Sequence, residues 1–331
     1  MTSILQIGFG PLGVQIAEYI AQKETVKTVA VVDINPDFTG KKLSEVSPEL
    51  SNEVKIYSSV KKAINELTSK PDVAIITTVS SLEKLIPQIE EVAKLGISVI
   101  STCEELSYPW ELQPELSTKL DNICREHNIA CLGTGINPGF LMDYLPSVMS
   151  SVCKDIETIT VERIQDATPR RVPFQQKIGA GLTLQAFKEK EATGTLRHVG
   201  LKESVYLLAN SIGLKLDEVT ESLAPVIAEN EVASKHIQVK KGDARGVEQI
   251  AHGYVNGMCK ITLHFKAAIG EPRSYDKISS KGIPNFSSEI EGGINGDIAT
   301  CAITINCINS ILTASSGLRT MADIAVPGYI N

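Results

Sequence analysis

The first 135 residues alternate between two periods. Short apolar runs read as strands: SILQI (3–7), TVAVVD (28–33), VKIYSS (54–59), DVAIITT (72–78), ISVIST (97–102) and IACLGTG (129–135). Between them, apolar residues fall at helical spacing in VQIAEYIAQ (14–22), residues 60–69, SLEKLIPQIEEVAKLG (81–96) and residues 114–127. Strands alternating with helices of this length predict α/β architecture, a doubly wound parallel sheet of Rossmann type. The ligand of such a sheet lies outside the carboxyl ends of its strands. Three of those ends carry small or polar residues: Thr77, Thr78 and Ser80; Ser101 to Glu104; and Gly133 to Asn137.

After GTGINPGFLMD the pattern changes. Asn137-Pro138-Gly139 is a turn signal, and a helix is expected to start near Phe140. Strand-rich segments follow at 155–167, 216–228 and 246–270, with helical segments at 181–191 and 200–213. Runs of strands without regular crossover helices predict an α+β domain on a largely antiparallel sheet. The last apolar segment, 296–315, reads as a buried helix and is a candidate to return to the first domain. The division expected is therefore 1–137 for nucleotide binding and 138–331 for substrate binding and dimerisation, because an open sheet often pairs with its copy.

Length and composition agree with two domains in one compact enzyme: 331 residues, 43% hydrophobic and 21% charged. The net charge of −7, with no long basic run, argues against nucleic acid or an anionic membrane as a partner. The N-terminus lacks a signal-peptide pattern and no apolar stretch is long enough to span a bilayer, so a cytoplasmic location is expected. The seven cysteines include no CxxC pair and are expected to be reduced. The five histidines show no ligand spacing, so no metal is expected.

The first strand runs into GFGPLG, residues Gly8, Phe9, Gly10, Pro11, Leu12 and Gly13, and then into a helix. In this G-x-G-x-x-G spacing the first glycine permits a tight turn, the second lets a pyrophosphate approach the backbone, and the third lets helix pack on strand. The N–H groups of the helix start attract phosphate. Asp33 ends the second strand, placed to bind a ribose 2′-hydroxyl. It favours NAD over NADP, although Lys41 and Lys42 lie close enough in sequence to blunt that preference and NADP stays open.

A dehydrogenase also needs a residue to manage protons. The stretch VISTCEELSYPW puts Glu104 and Glu105 just past a parallel strand, beside Tyr108 and the one tryptophan, Trp110. Glu104 suits a proton shuttle, or it and Glu105 form the acidic first turn of a short helix; both readings stand for Glu104, while the second fits Glu105 better. Asn137 is either a cofactor or substrate contact or a turn residue. Cys103 lacks a basic neighbour and reads as a buried thiol. His264 shares a strand face with Thr262 and Lys266, opposite Leu263 and Phe265. His198 and Lys177 are weaker candidates.

Taken together, GFGPLG, STCEELSYPW, GTGINPGFLMD, KIGAGLTLQAF, RHVGLKES, GDIATCAITINCINS and GLRTMAD resemble the 2,4-diaminopentanoate dehydrogenases and native amine dehydrogenases, which are akin in fold to dihydrodipicolinate reductase. The resemblance implies an NAD(P)-dependent dimer. It implies oxidative deamination of an amine, with reductive amination of a ketone or aldehyde by ammonia as the reverse. It implies a catalytic glutamate, Glu104 with Glu105 the runner-up, and a pocket lined by Asn137, Pro138, Phe140 and Met142. Arg163 and His264 are then candidate partners for a substrate carboxylate. The paired histidines of dihydrodipicolinate reductases are missing, which lowers the odds of that reaction.

Overall fold

The computed structural model describes residues 1–50, 53–194, 196 and 199–331. The chain opens with β1 (Thr2–Ile7), α1 (Pro11–Ala21), β2 (Val26–Val32), β3 (Ile56–Tyr57), α2 (Val60–Glu66), β4 (Val73–Ile76), α3 (Leu82–Ala93), β5 (Ser98–Ser101), α4 (Pro114–Glu126) and β6 (Ala130–Gly133). It continues with α5 (Tyr144–Ser150), β7 (Asp155–Asp166), α6 (Val172–Lys177), α7 (Leu184–Ala192), α8 (Leu201–Ser211) and β8 (Glu218–Ile227). A short hairpin, β9 (Val232–Ala233) and β10 (Gln238–Val239), precedes β11 (Ala244–Val255), β12 (Met258–Ala268), β13 (Tyr275–Ile283) and β14 (Phe286–Glu291). The chain ends with α9 (Gly296–Asn306), α10 (Ile308–Thr313) and β15 (Gly317–Arg319).

Two compact units result, 1–140 with 296–331, and 141–295. The first contains a seven-stranded sheet in the order β15-β6-β5-β4-β1-β2-β3, parallel throughout. Strand order reverses between β1 and β4, and that is where a doubly wound sheet opens its ligand crevice. Helix α3 shows why the pattern folds this way. Leu82, Leu85, Ile86, Ile89 and Val92 share one buried face, and fully burying each such side chain is worth about 1.5–3 kcal/mol. The apolar C-terminal stretch forms two helices, with the break at Cys307, and β15 then pairs with β6.

The second unit holds a six-stranded sheet in the order β14-β13-β7-β12-β11-β8. Every neighbour is antiparallel except β12 with β7, so the sheet is mixed. One face carries Val161, Leu263, Phe265, Val247 and Ala251 in a core with Val205 and Leu208 of α8. The opposite face is largely polar, with Glu162 opposite His264 and Glu248 opposite Lys266.

The helix expected near Phe140 begins at Tyr144, after a run of turns, with Asp143 as its N-cap; the Asp143 carboxylate accepts the Tyr144 N–H at 2.6 Å. No membrane-length apolar helix occurs among the described residues.

Candidate active site

The glycine loop connects β1 to α1. Gly8 has φ +96°, a left-handed value that favours glycine. A Cβ on Gly13 would lie 2.2 Å from the Gly8 carbonyl oxygen, so only glycine lets α1 sit this close to the turn. At Gly10 no atom beyond its own stretch of chain stands within 4 Å of a Cβ position, which leaves this side of the backbone open to a ligand.

Gly8 and Gly10 line a cleft of about 600 Å³ with Asp33, Ile34, Ser58, Ser59, Thr77, Thr78, Val79, Gln88 and Glu91. The cleft therefore joins the glycine loop to the ends of β2, β3 and β4, and its open Gly10 backbone fits a dinucleotide pyrophosphate. The Asp33 carboxylate is held by two backbone donors, Phe9 N–H at 2.6 Å and Asn35 N–H at 2.7 Å. Each oxygen keeps a further lone pair for a ribose hydroxyl. Lys42 is engaged in an ion pair with Glu53, so its charge is already met.

Several expected cofactor residues take other positions. Phe9 is fully buried in a small core with Ala17, Val31, Leu43, Leu50 and Ile56, edge-on to Phe38. Only its N–H serves the loop. Pro11 is exposed and Leu12 half-buried at the start of α1, and neither lines the cleft; nor does exposed Ser80. Ser58, Ser59, Gln88 and Glu91 were absent from the sequence reading. The strand-end argument used for Thr77 and Thr78 would have found the two serines at the end of β3. Gln88 and Glu91, three apart, share one face of α3.

Past β5, residues Glu104–Leu106 form one 3-10 turn. Ser107 Oγ donates to the Glu104 carbonyl at 2.8 Å and fixes the turn from within. A Cβ on Gly133 would be 2.6 Å from the Leu106 carbonyl carbon, so β6 can lie against the turn only because position 133 has no side chain. Glu105 Oε2 accepts both the Leu82 N–H at 2.8 Å and Gln113 Nε2 at 2.9 Å. It does not act on its own turn but at the start of α3. The Cys103 thiol is buried, and that burial, helped by the Glu104 charge, pushes it up to about 12. Tyr108 and Trp110 stack at 5.1 Å between centroids, tilted by 53°. Burial raises the Tyr108 phenol above its ordinary range.

Asn137 is buried and Phe140 half-buried within the first unit, and Pro138 lies fully inside it, with its carbonyl oxygen 3.0 Å from a Cβ position on Gly135. Met142 departs from its expected role in lining a pocket: it is fully buried in the core of the second unit. Arg163 and His264 do not converge. In the β7–β12 register Arg163 stands opposite Phe265 and Glu162 opposite His264, so the two side chains take opposite faces of the sheet. Arg163, 3% exposed, is paired with Asp276 at 2.7 Å and donates to the Ile294 carbonyl at 2.9 Å. His264 Nε2 is 2.7 Å from Glu248 Oε1. Lys177 ends α6, and His198 lies outside the described residues. No group of three or more metal-ligating side chains occurs among the described residues.

The model of the 2,4-diaminopentanoate dehydrogenase C-terminal domain matches residues 140–331. A 2,4-diaminopentanoate dehydrogenase from Acetoanaerobium sticklandii is 31% identical over 335 residues, covering 99% of this chain and 94% of its own. The chain belongs to the 2,4-diaminopentanoate dehydrogenase family. Membership makes it an NAD(P)-dependent oxidoreductase acting on amines. The family extends over the first unit as well, where a CoA binding domain model also matches residues 1–104. Among solved structures, an amine dehydrogenase from Mycobacterium smegmatis superposes with TM-score 0.85 at 20% identity, covering 99% of this chain and 97% of that one. A dipicolinate-bound dihydrodipicolinate reductase from Paenisporosarcina sp. TG-14 does so with TM-score 0.55 at 13% identity, covering 98% and 100%. At these identities the likeness is one of fold.

Proposed function

We propose that this family member interconverts a small amine that carries no carboxylate with its ketone or aldehyde, ammonia and NAD(P), and that Glu104 is its catalytic residue. The observation that carries the choice of glutamate is the double contact of Glu105 with Leu82 and Gln113, which commits the runner-up to structure. The separation of Arg163 and His264 on opposite sheet faces supports a substrate without a carboxylate.

When bound, the nicotinamide supplies or accepts a hydride. The chain's residues do the rest. Ammonia is mostly ammonium at neutral pH, so a carboxylate at the reacting centre binds the cation and takes its proton. The freed ammonia adds to the carbonyl carbon as the C=O π bond opens, and a proton passes from nitrogen to oxygen to give the carbinolamine. The Glu104 carboxyl then returns a proton to that hydroxyl, and water leaves. The remaining carboxylate steadies the iminium cation by charge, the kind of fixed electrostatic contribution that is often the largest in catalysis. Asp33 and the glycine loop hold the dinucleotide; the Asp33 carboxylate favours NAD. Asn137, Pro138 and Phe140 belong to the pocket in this reading. The assembly is a cytoplasmic homodimer.

A second reading, 2,4-diaminopentanoate as substrate, is favoured by the 31% identity along nearly the whole chain. A screen of simple ketones and aldehydes with ammonia, using NADH and NADPH, is run beside oxidation of simple amines and of 2,4-diaminopentanoate. Ammonia-dependent turnover of simple carbonyls is expected. Turnover confined to 2,4-diaminopentanoate would transfer the assignment to the second reading. Cofactor oxidation that needs no ammonia would mark an imine or carbonyl reductase instead.

A further inference from the structure

We propose that Glu105 is a positioning residue that ties the wall of the cofactor cleft to the turn carrying Glu104. The inference deepens the functional reading above and rests on its assignment of Glu104. Helix α3 does not cap itself: Ser81 stands at its N-cap and makes no side-chain capping bond. Its first N–H, on Leu82, is met by Glu105 Oε2 at 2.8 Å, from a residue 23 positions later in the chain. A carboxylate at a helix start is favoured by both the unpaired donors and the helix dipole. The same oxygen accepts from Gln113 Nε2 at 2.9 Å, and Gln113 is the N-cap of α4. One carboxylate thus holds the starts of two helices.

What those contacts fix bears on the reaction. Thr77, Thr78 and Val79 lead into α3, and Gln88 and Glu91 stand on it; all five line the cleft. Glu104 is the neighbouring residue in the same 3-10 turn. Movement at the start of α3 therefore moves the cofactor wall and the Glu104 turn together. This explains the adjacent acids. With Glu104 assigned to the chemistry as above, Glu105 sets the distance between the turn that carries it and the cofactor cleft.

The test compares E105A, E105Q and E104Q in the full-length enzyme. Dissociation constants for NADH and NADPH are read by fluorescence titration, and kcat and KM by cofactor oxidation. Loss of a helix-cap acceptor typically corresponds to a change of about fivefold. E105A is expected to weaken cofactor binding by about that factor and to lower kcat as well. E105Q keeps an oxygen acceptor for Leu82 and is expected to recover both. E104Q is expected to lower kcat with cofactor binding unchanged. E105Q as impaired as E105A would overturn the proposal, because accepting the Leu82 and Gln113 hydrogen bonds would then not be what Glu105 contributes. So would E105A with wild-type cofactor affinity. An active E104Q beside a weak-binding, rescuable E105A would remove the Glu104 assignment and leave the tether in place.

Discussion

Replacing Arg163 by methionine separates two roles for that residue. The side chain is buried, its guanidinium is 2.7 Å from the Asp276 carboxylate, and it donates to the Ile294 carbonyl at 2.9 Å. Asp276 in turn accepts the Ile294 N–H at 2.7 Å. The pair therefore grips both backbone polar groups of one residue. Burial lowers the Arg163 guanidinium and raises the Asp276 carboxyl, each opposed by the attraction of its partner. R163M would leave a buried carboxylate that still accepts from the Ile294 N–H but has lost its guanidinium, and the Ile294 carbonyl would lose this partner. Breaking such a pair from one side costs about 3–5 kcal/mol. For a unit spanning residues 141–295, that corresponds to a fall of about 6–20 °C in the thermal midpoint. The assay is thermal unfolding followed by circular dichroism, with kcat and KM measured well below the transition. The double variant R163M/D276L, which removes both charges, is expected to recover much of the loss. An R163M protein with an unchanged midpoint and a raised substrate KM would refute the reasoning and return Arg163 to the substrate.

Other outcomes follow from the same geometry. G133A places a methyl 2.6 Å from the Leu106 carbonyl carbon and shifts the Glu104 turn; a misplacement of about 1 Å costs about 10²-fold in rate, so kcat is expected to fall well beyond any change in cofactor affinity. The Asp72 carboxyl lies below its ordinary range because the Ser3 hydroxyl and N–H donate to it at 2.6 and 2.8 Å. A depressed carboxylate stabilises the fold above its unfolded value of about 3.9, and that share is lost as pH falls through the folded value. The midpoint gap between wild type and D72N is therefore expected at pH 6 and should close in stronger acid; a gap that widens with acid has the wrong sign. Five of the seven thiols are buried, and burial pushes Cys307, like Cys103, up to about 12. A chromogenic disulfide reagent should titrate Cys153 and Cys259 in the native enzyme and all seven after unfolding; rapid native reaction at Cys103 would contradict the burial argument.

The alternating pattern of the first 135 residues was legible because each strand and helix is patterned within itself, and GFGPLG with Asp33 carries its spacing in the chain. Side-chain direction was less so. Phe9 and Met142 occupy motif positions yet turn into cores, because a motif gives the place of a residue and not the face it takes. Partners distant in sequence left no local trace. Asp276 is 113 positions from Arg163, and Leu82 is 23 from Glu105. The β13–β14 hairpin escaped notice because its Ser, Lys and Gly content hides the alternation of a half-exposed strand. Strand β15 has only three residues and is specified by its pairing with β6 rather than by its own composition.

The central claim is that Glu104 handles the proton in an ammonia-dependent reaction. Its most direct measurement is the rate of NAD(P)H oxidation with a small ketone, with and without ammonia, for wild type and E104Q at saturating cofactor. The account expects wild-type oxidation to require ammonia and E104Q to lose about 10²-fold or more in kcat with cofactor affinity intact. E104Q turning over with ammonia at near the wild-type rate would contradict it.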